Sequence, residues 1–361
     1  MRTHTGIKFA CSTLMILSLT VPAIATLSAS AEDQSTLAGA DDRREQGQQE
    51  PITPARNVVQ SEEQAELLRR LAASPKLIER LNNRYQNTRA SCPDGRTPLY
   101  CTGLLIRRSV YSSSFDFWTH SPAAKALGSV TLSFIRADAN TNGNDISSGF
   151  ILMDDATAQA REKQMPSFRC IYPFSAGTQN ANRPLHGCGF ANSEAPPRVD
   201  ESTCGTLADP AITATRWIAN FQRFGSNRAN QCSLSTKVPT QVIASLEVRQ
   251  QLSTPTDTYG NELLAELWDE QKPESLPIEA FFFNPKKSGS FSSALELRDA
   301  YYIKTSQLLP LVRLDFNASG NAIVTALSEQ EQGEQISNGL NLRLATLAKT
   351  VREKHRCTAT A

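Results

Sequence analysis

The sequence predicts an α+β fold: an N-terminal helical pair, then a mostly antiparallel sheet domain with helices and disulfide-stapled loops. Three observations carry this expectation. Val130, Leu132 and Phe134 alternate with Thr131 and Ser133, and Val312, Leu314 and Phe316 alternate with Arg313 and Asp315, which is the period of a half-buried strand. The predicted order is helix pair, strands, helices, strands, without the regular β–α–β alternation of a doubly wound sheet. Cys92 and Cys101 flank a Pro93-Asp94-Gly95 turn just before the apolar segment Leu104 to Ile106, so a bridge between them would pin the entry of the first strand.

The N-terminus has the parts of a secretion signal over residues 1–31. Arg2 and Lys8 supply the positive start, Phe9 to Val21 the apolar run, and Ala29-Ser30-Ala31 the small-residue cleavage site, with Ala23-Ile24-Ala25 as a second one. The run is shorter than the ~20 residues of a membrane span. The mature chain is therefore expected to be secreted, extracellular or periplasmic, with no membrane span. In such a compartment its cysteines read as disulfides. Proximity favours Cys92 with Cys101, Cys170 with Cys188 and Cys204 with Cys232, leaving Cys357, although sequence does not fix connectivity. There is no C-x-x-C pair, and His120, His186 and His355 are the only mature histidines, so structural zinc is not expected.

Residues 32–57, rich in Glu, Asp, Gln, Ser and Pro, read as a disordered arm. The helical pair occupies 58–90. Ser61 with Gln64 forms a capping box before Leu67, Leu68 and Leu71. Ser74-Pro75 starts a second helix whose apolar face is Leu77, Ile78, Leu81 and Tyr85. It is expected to dock on the domain, with a partner-binding arm as the alternative.

The core domain spans 91–327. Strands are expected at 104–106, 130–134, 149–153, 168–174, 276–283 and 312–316, and helices at 211–224 and 239–252. Asn261 reads as the cap of a further helix bearing Leu263, Leu264, Leu267 and Trp268 on one face. Residues 175–210 read as a long stapled loop, and 328–361 as an appended polar segment ending in an amphipathic helix.

A net charge of +1 gives no support to nucleic-acid binding. There is no G-x-S-x-G elbow, H-E-x-x-H or P-loop. His120 would be the base of any histidine-dependent site. Asp138-Ala139-Asn140-Thr141-Asn142-Gly143 matches the first half of a calcium loop, but Gly149 stands where the bidentate Glu is needed, and an Asn-Gly hairpin turn explains it as well.

From Cys92 to Phe316 the order of features resembles the halovibrin-like secreted bacterial proteins. The resembling segments are Asn87-Thr88, Ser91-Cys92, Cys101 to Arg107, Val130 to Asp138, Gly149-Phe150-Ile151, Asn261-Glu262-Leu263, Leu276 to Phe283, Tyr301-Tyr302 and Pro310 to Leu314. The resemblance implies a secreted, toxin-like enzyme that consumes NAD as a substrate rather than a cofactor. It would be either an NAD glycohydrolase, a hydrolase, or an ADP-ribosyltransferase, with a protein as a possible acceptor. Folds that transfer ADP-ribose resemble one another in placing Arg on an early strand, Ser on a middle one and Glu on a late one. In this chain that order is offered by Arg107 or Arg136, by Ser147 and Ser148, and by Glu262 or Glu279. Glu279 lies between Ile278 and Ala280, where an unpaired carboxylate would be costly, so it needs a partner or a task. The alternative is a non-catalytic secreted binding, adhesion or effector module.

Overall fold

The structure, a computed structural model, describes residues 72–108, 119–139, 146–174, 188, 211–224, 233–252, 260–317 and 319–337. All belong to the compact unit Thr53–Ala361; the unit Met1–Ile52 lies outside them, and with it the expected signal peptide and most of the acidic arm. The first helix of the expected pair, Cys204, Cys232, Cys357 and the centre of the half calcium loop also lie outside the described residues.

The described strands are β1 (Leu104–Arg108), β2 (Ser129–Ile135), β3 (Ser148–Leu152), β4 (Phe168–Tyr172), β5 (Leu234–Ser235), β6 (Glu262–Glu266), β7 (Ile278–Phe283), β8 (Leu311–Phe316) and β9 (Ala322–Thr325). The helices are α1 (Pro75–Gln86), α2 (Pro122–Leu127), α3 (Asp155–Ala160), α4 (Ala214–Phe224), α5 (Pro239–Gln251), α6 (Ser290–Thr305) and α7 (329–337). The strands form one sheet in the order β5-β4-β6-β2-β1-β3-β7-β8-β9. Neighbours are antiparallel except β7 and β8. That parallel pair is the one whose link carries α6, because a parallel return needs a crossover. The fold is α+β, as the sequence predicts.

Alternation sorts the side chains into two layers. Leu105, Val130, Leu132, Phe134, Phe150, Leu263 and Phe281 face a large core shared with Trp217 of α4, Val242 of α5 and Leu297 of α6. Leu104, Ile106, Ile135, Ile151, Phe282, Val312 and Leu314 face a second core closed by Leu77, Leu81 and Tyr85 of α1. On that second side, but over β4 and β6, Cys170, Tyr172 and Leu264 cluster with Cys188.

Helix α1 forms as its sequence dictates: Pro75 opens it, Ser74 Oγ accepts from the Leu77 N–H, and the four-residue spacing of Leu77, Leu81 and Tyr85 makes one apolar stripe. It docks on the sheet. Its polar side chains hold the free edge of β9: the Asn82 amide donates to the Val324 carbonyl (2.8 Å) and accepts from the Val324 N–H (2.9 Å), and Tyr85 Oη accepts from Ala322. A side chain thus replaces the missing neighbour strand and blocks edge pairing.

The helix expected after Asn261 is instead β6, held between β2 and β4. Leu263 and Ala265 enter the large core while Leu264 enters the cluster with Cys170 and Tyr172, so the run is buried on both faces. A strand buried on both sides shows no alternation, and its leucines imitate helical spacing. Asn261 caps no helix. Its amide accepts from the Phe134 N–H (2.8 Å) and donates to the Phe134 carbonyl (2.6 Å), which extends the β2–β6 ladder by one side chain.

Two of the three expected disulfides fall within the described residues: Cys92–Cys101 closes the turn before β1, and Cys170–Cys188 anchors a loop to β4. Among the described residues no helix is long and apolar enough to cross a membrane.

Candidate functional site

The predicted site residues separate into groups. Arg136 is fully buried and bidentate on Asp138, with Nε–Oδ1 at 2.6 Å and Nη2–Oδ2 at 2.5 Å. Its Nη1 donates to the Arg89 carbonyl. It ties loops together rather than presenting a charge to a ligand. Glu279 receives both Arg80, through Nε (2.8 Å) and Nη2, and Arg84, through Nη1 (3.1 Å). Its side chain is 0% exposed, and it therefore has a structural partner on α1. Ser148 Oγ meets Ser293 Oγ of α6 at 3.1 Å, and the Ser147 carbonyl accepts from the Asn284 N–H, beside β7 rather than beside Arg107's partner Thr131.

Glu262 and Glu279 cannot share one small substrate. β6 and β7 are separated by β2, β1 and β3, which is four strand spacings or on the order of 19 Å.

Arg107 and Glu262 stand closer, on β1 and β6 with β2 alone between them. The β1–β2 pairing ends at Ile106↔Ser133. Beyond it Arg107 Nη1 donates to the Thr131 carbonyl and to Thr131 Oγ1 (2.9 Å). Thr131 pairs with Leu264, and Glu262 pairs with Tyr172 two residues back along β6. Alternation puts Thr131, Ser133 and Glu262 on one face, that of Leu264, Cys170 and Tyr172. Ser133 Oγ donates to the Asn261 carbonyl (3.2 Å), which fixes it beside the start of β6. The hydroxyl that meets the arginine is thus that of Thr131 of β2, with Ser133 two residues further along the same strand, not those of Ser147 and Ser148. The sequence signal was the Ser129-x-Thr131-x-Ser133 row, which alternation alone treats as an ordinary polar face.

Burial, with repulsion from Arg108 beside it, pulls the Arg107 guanidinium down to about 10. No carboxylate pairs with it among the described residues, and its Nε is enclosed without a partner. A half-buried cation with no carboxylate on it suits an anionic group of a ligand.

Gly149 sets the place of Arg107 from the other side. It pairs with Arg108, and a Cβ there would lie 1.9 Å from the Arg107 carbonyl oxygen and 3.0 Å from its carbonyl carbon. Neither atom can move without shifting β1. Gly149→Ala is expected to cost about 1–3 kcal/mol or more, read as a lower urea midpoint.

A second cluster adjoins this one. His120 is buried, with Nδ1 3.1 Å from Glu270 Oε1, and its backbone N–H donates to the same oxygen. Lys125 Nζ holds Glu270 Oε2 at 2.8 Å. Trp268 tilts against the imidazole with ring centres 4.9 Å apart, and also lines an open groove of about 430 Å³ with Lys163, Glu266 and Leu276. Burial lowers the His120 pKa; Glu270 opposes this, and Arg107 and Lys125 add to it. Partial burial tends to raise the pKa of Glu270, but hydrogen bonds from Lys125 and the His120 N–H outweigh it and hold the carboxyl below its ordinary value.

These shifts have one sign in stability. An unfolded chain protonates His120 near pH 6.5, whereas the folded chain resists until lower pH. His120 therefore contributes stability above about pH 6.5 that is lost on acidification through its lowered value. The urea midpoint should fall between pH 7 and 5, and less steeply in His120→Gln.

A scan of protein-family models and a search of curated proteins return no match to the chain.

Proposed function

We propose that the chain is a secreted NAD-consuming enzyme that breaks the nicotinamide–ribose bond where β1, β2 and β6 lie side by side. The observation that supports this reading is the placing of an arginine, two hydroxyls and a carboxylate on three adjacent strands: Arg107, Thr131 with Ser133, and Glu262. The resemblance to halovibrin-like proteins points the same way. Breaking the bond passes through an oxocarbenium-like state, which a carboxylate stabilises electrostatically. In this reading Glu262 is that carboxylate, Arg107 takes the pyrophosphate, and Thr131 and Ser133 orient the ribose. Two disulfides fit the secreted setting. Hydrolysis is the preferred outcome, because water is a sufficient acceptor.

The test is incubation of the mature protein, residues 32–361 with disulfides intact, with NAD, followed by chromatography of nicotinamide. Release lost in Glu262→Gln supports the reading. Absence of release with water and with protein acceptors would reject it and favour a binding module on this fold.

A further inference from the structure

Three segments meet at the open groove of about 430 Å³: residues 162–167 between α3 and β4, 266–268 at the end of β6, and 275–277 before β7. The segments are tied to one another. The Glu266 N–H donates to the Ser167 carbonyl (2.9 Å), and Lys163 Nζ donates to the Leu276 carbonyl (3.0 Å). His120 braces the Trp268 ring from behind β6, with ring centres 4.9 Å apart. The groove is thus a formed site, of the kind that takes small ligands.

Two features of its lining do not serve packing. Leu267 is 36% exposed, one of three large apolar side chains left exposed among the described residues, and Trp268 beside it is half-buried. Glu162 holds φ 54° at the end of α3. The Glu162 N–H returns to the Gln159 carbonyl (3.0 Å) and the Lys163 N–H to the Ala158 carbonyl (2.8 Å), the pattern that ends a helix on a left-handed residue, most often glycine. The Cβ of Glu162 makes that conformation unfavourable. Its carboxylate is exposed and holds no ion pair among the described residues. Such an outlier at the rim of a cleft points to a task for the side chain.

The lining limits the chemistry of a ligand. Glu162 and Glu266 oppose an anion. Lys163 opposes a cation, and Arg169 Nη2 already lies 3.4 Å from Glu266. A purely apolar molecule would strip water from these charges without replacing its hydrogen bonds. What fits is a neutral molecule whose hydroxyls donate to the carboxylates and accept from the ammonium, with an apolar side for Leu267, Trp268 and Leu276. A sugar ring has that division, with hydroxyls at its edge and C–H groups on its faces. A carboxylate has about four acceptor sites, so Glu266 can hold Arg169 and a hydroxyl together. An ammonium has three N–H groups, of which the Leu276 carbonyl and Gln307 Oε1 (3.4 Å) take two from Lys163.

We propose that this groove binds a neutral oligosaccharide, with Trp268 and Leu267 against a ring face, Glu162 and Glu266 accepting from its hydroxyls, and Lys163 donating to them. The proposal does not depend on the NAD-consuming reading. Glu266 stands four residues past Glu262, on the order of 13 Å along β6, so the groove is a separate site.

The whole mature protein, labelled with nitrogen-15 in tryptophan, is titrated with maltose, cellobiose, lactose and N,N′-diacetylchitobiose. The Trp268 indole signal is identified as the one absent from Trp268→Phe. It should shift and saturate with at least one of these sugars, while that of the buried Trp217 stays in place. Glu162→Gly should weaken this binding by about tenfold or more, because it removes charge-assisted hydrogen bonds. The same variant should raise the urea midpoint, because glycine adopts the left-handed conformation freely. No shift with any of the four sugars would overturn the proposal. So would wild-type affinity in Glu162→Gly, or a shift produced by argininamide or inorganic phosphate in place of the sugars. A lower urea midpoint in Glu162→Gly would also count against it, since Glu162 would then serve the fold.

Discussion

Glu279→Gln is expected to lower the unfolding free energy by about 3–5 kcal/mol, because it leaves a buried cation without its counter-charge. Arg84 is the cation concerned. Its side chain is 5% exposed, and it has donated its remaining groups to the Gly103 carbonyl (2.7 Å) and the Leu152 carbonyl (2.8 Å). It cannot leave without breaking the seat of α1 on β1 and β3. Burial already pulls its pKa down, and Glu279 is the main force holding it up. Arg80, at 39% exposed, can turn to solvent. Arg80→Ala should therefore cost far less than Glu279→Gln in urea unfolding. Per folded molecule, Glu279→Gln should release nicotinamide as the wild type does, since the clamp is remote from β6.

Glu262→Gln should do the opposite. The strand stays, because its anchors are Leu263, Leu264, Ala265 and the Asn261 amide. The effect is therefore read in turnover at equal folded concentration. The loss of a carboxylate that stabilises the oxocarbenium-like state should instead lower kcat by ~10²–10³-fold, with KM nearly unchanged. Turnover thus separates the two acidic residues that the sequence offered as equals.

How far these roles could be read without coordinates follows from what each residue touches. β2 and β8 were legible because one face of each is buried and the other is not. α1 was legible from its cap, its proline and its stripe. β6 was not, because Leu263-Leu264-Ala265 is buried on both faces and has no period to read. α6 failed for a related reason: Leu295, Leu297, Arg298 and Tyr301 are buried on more than one side of the helix, so no stripe stands out. Glu279 was recognised as needing a partner, but its arginines lie on α1, about 200 positions earlier by the separations of 199 and 195. Arg107 and Glu262 were named from the order of strands. Thr131 and Ser133 were passed over because the β1–β2–β6 adjacency that joins them to Arg107 and Glu262 is a property of the sheet order. His120 was visible only as a lone histidine, since Glu270 and Trp268 reach it from beyond β6.

The most direct test of the account is single-turnover release of nicotinamide from NAD by the disulfide-intact mature protein, with Glu262→Gln and Glu279→Gln run at equal folded concentration. The account predicts release by the wild type and by Glu279→Gln, and its loss in Glu262→Gln. Release that survives in Glu262→Gln, or none from the wild type, would contradict it.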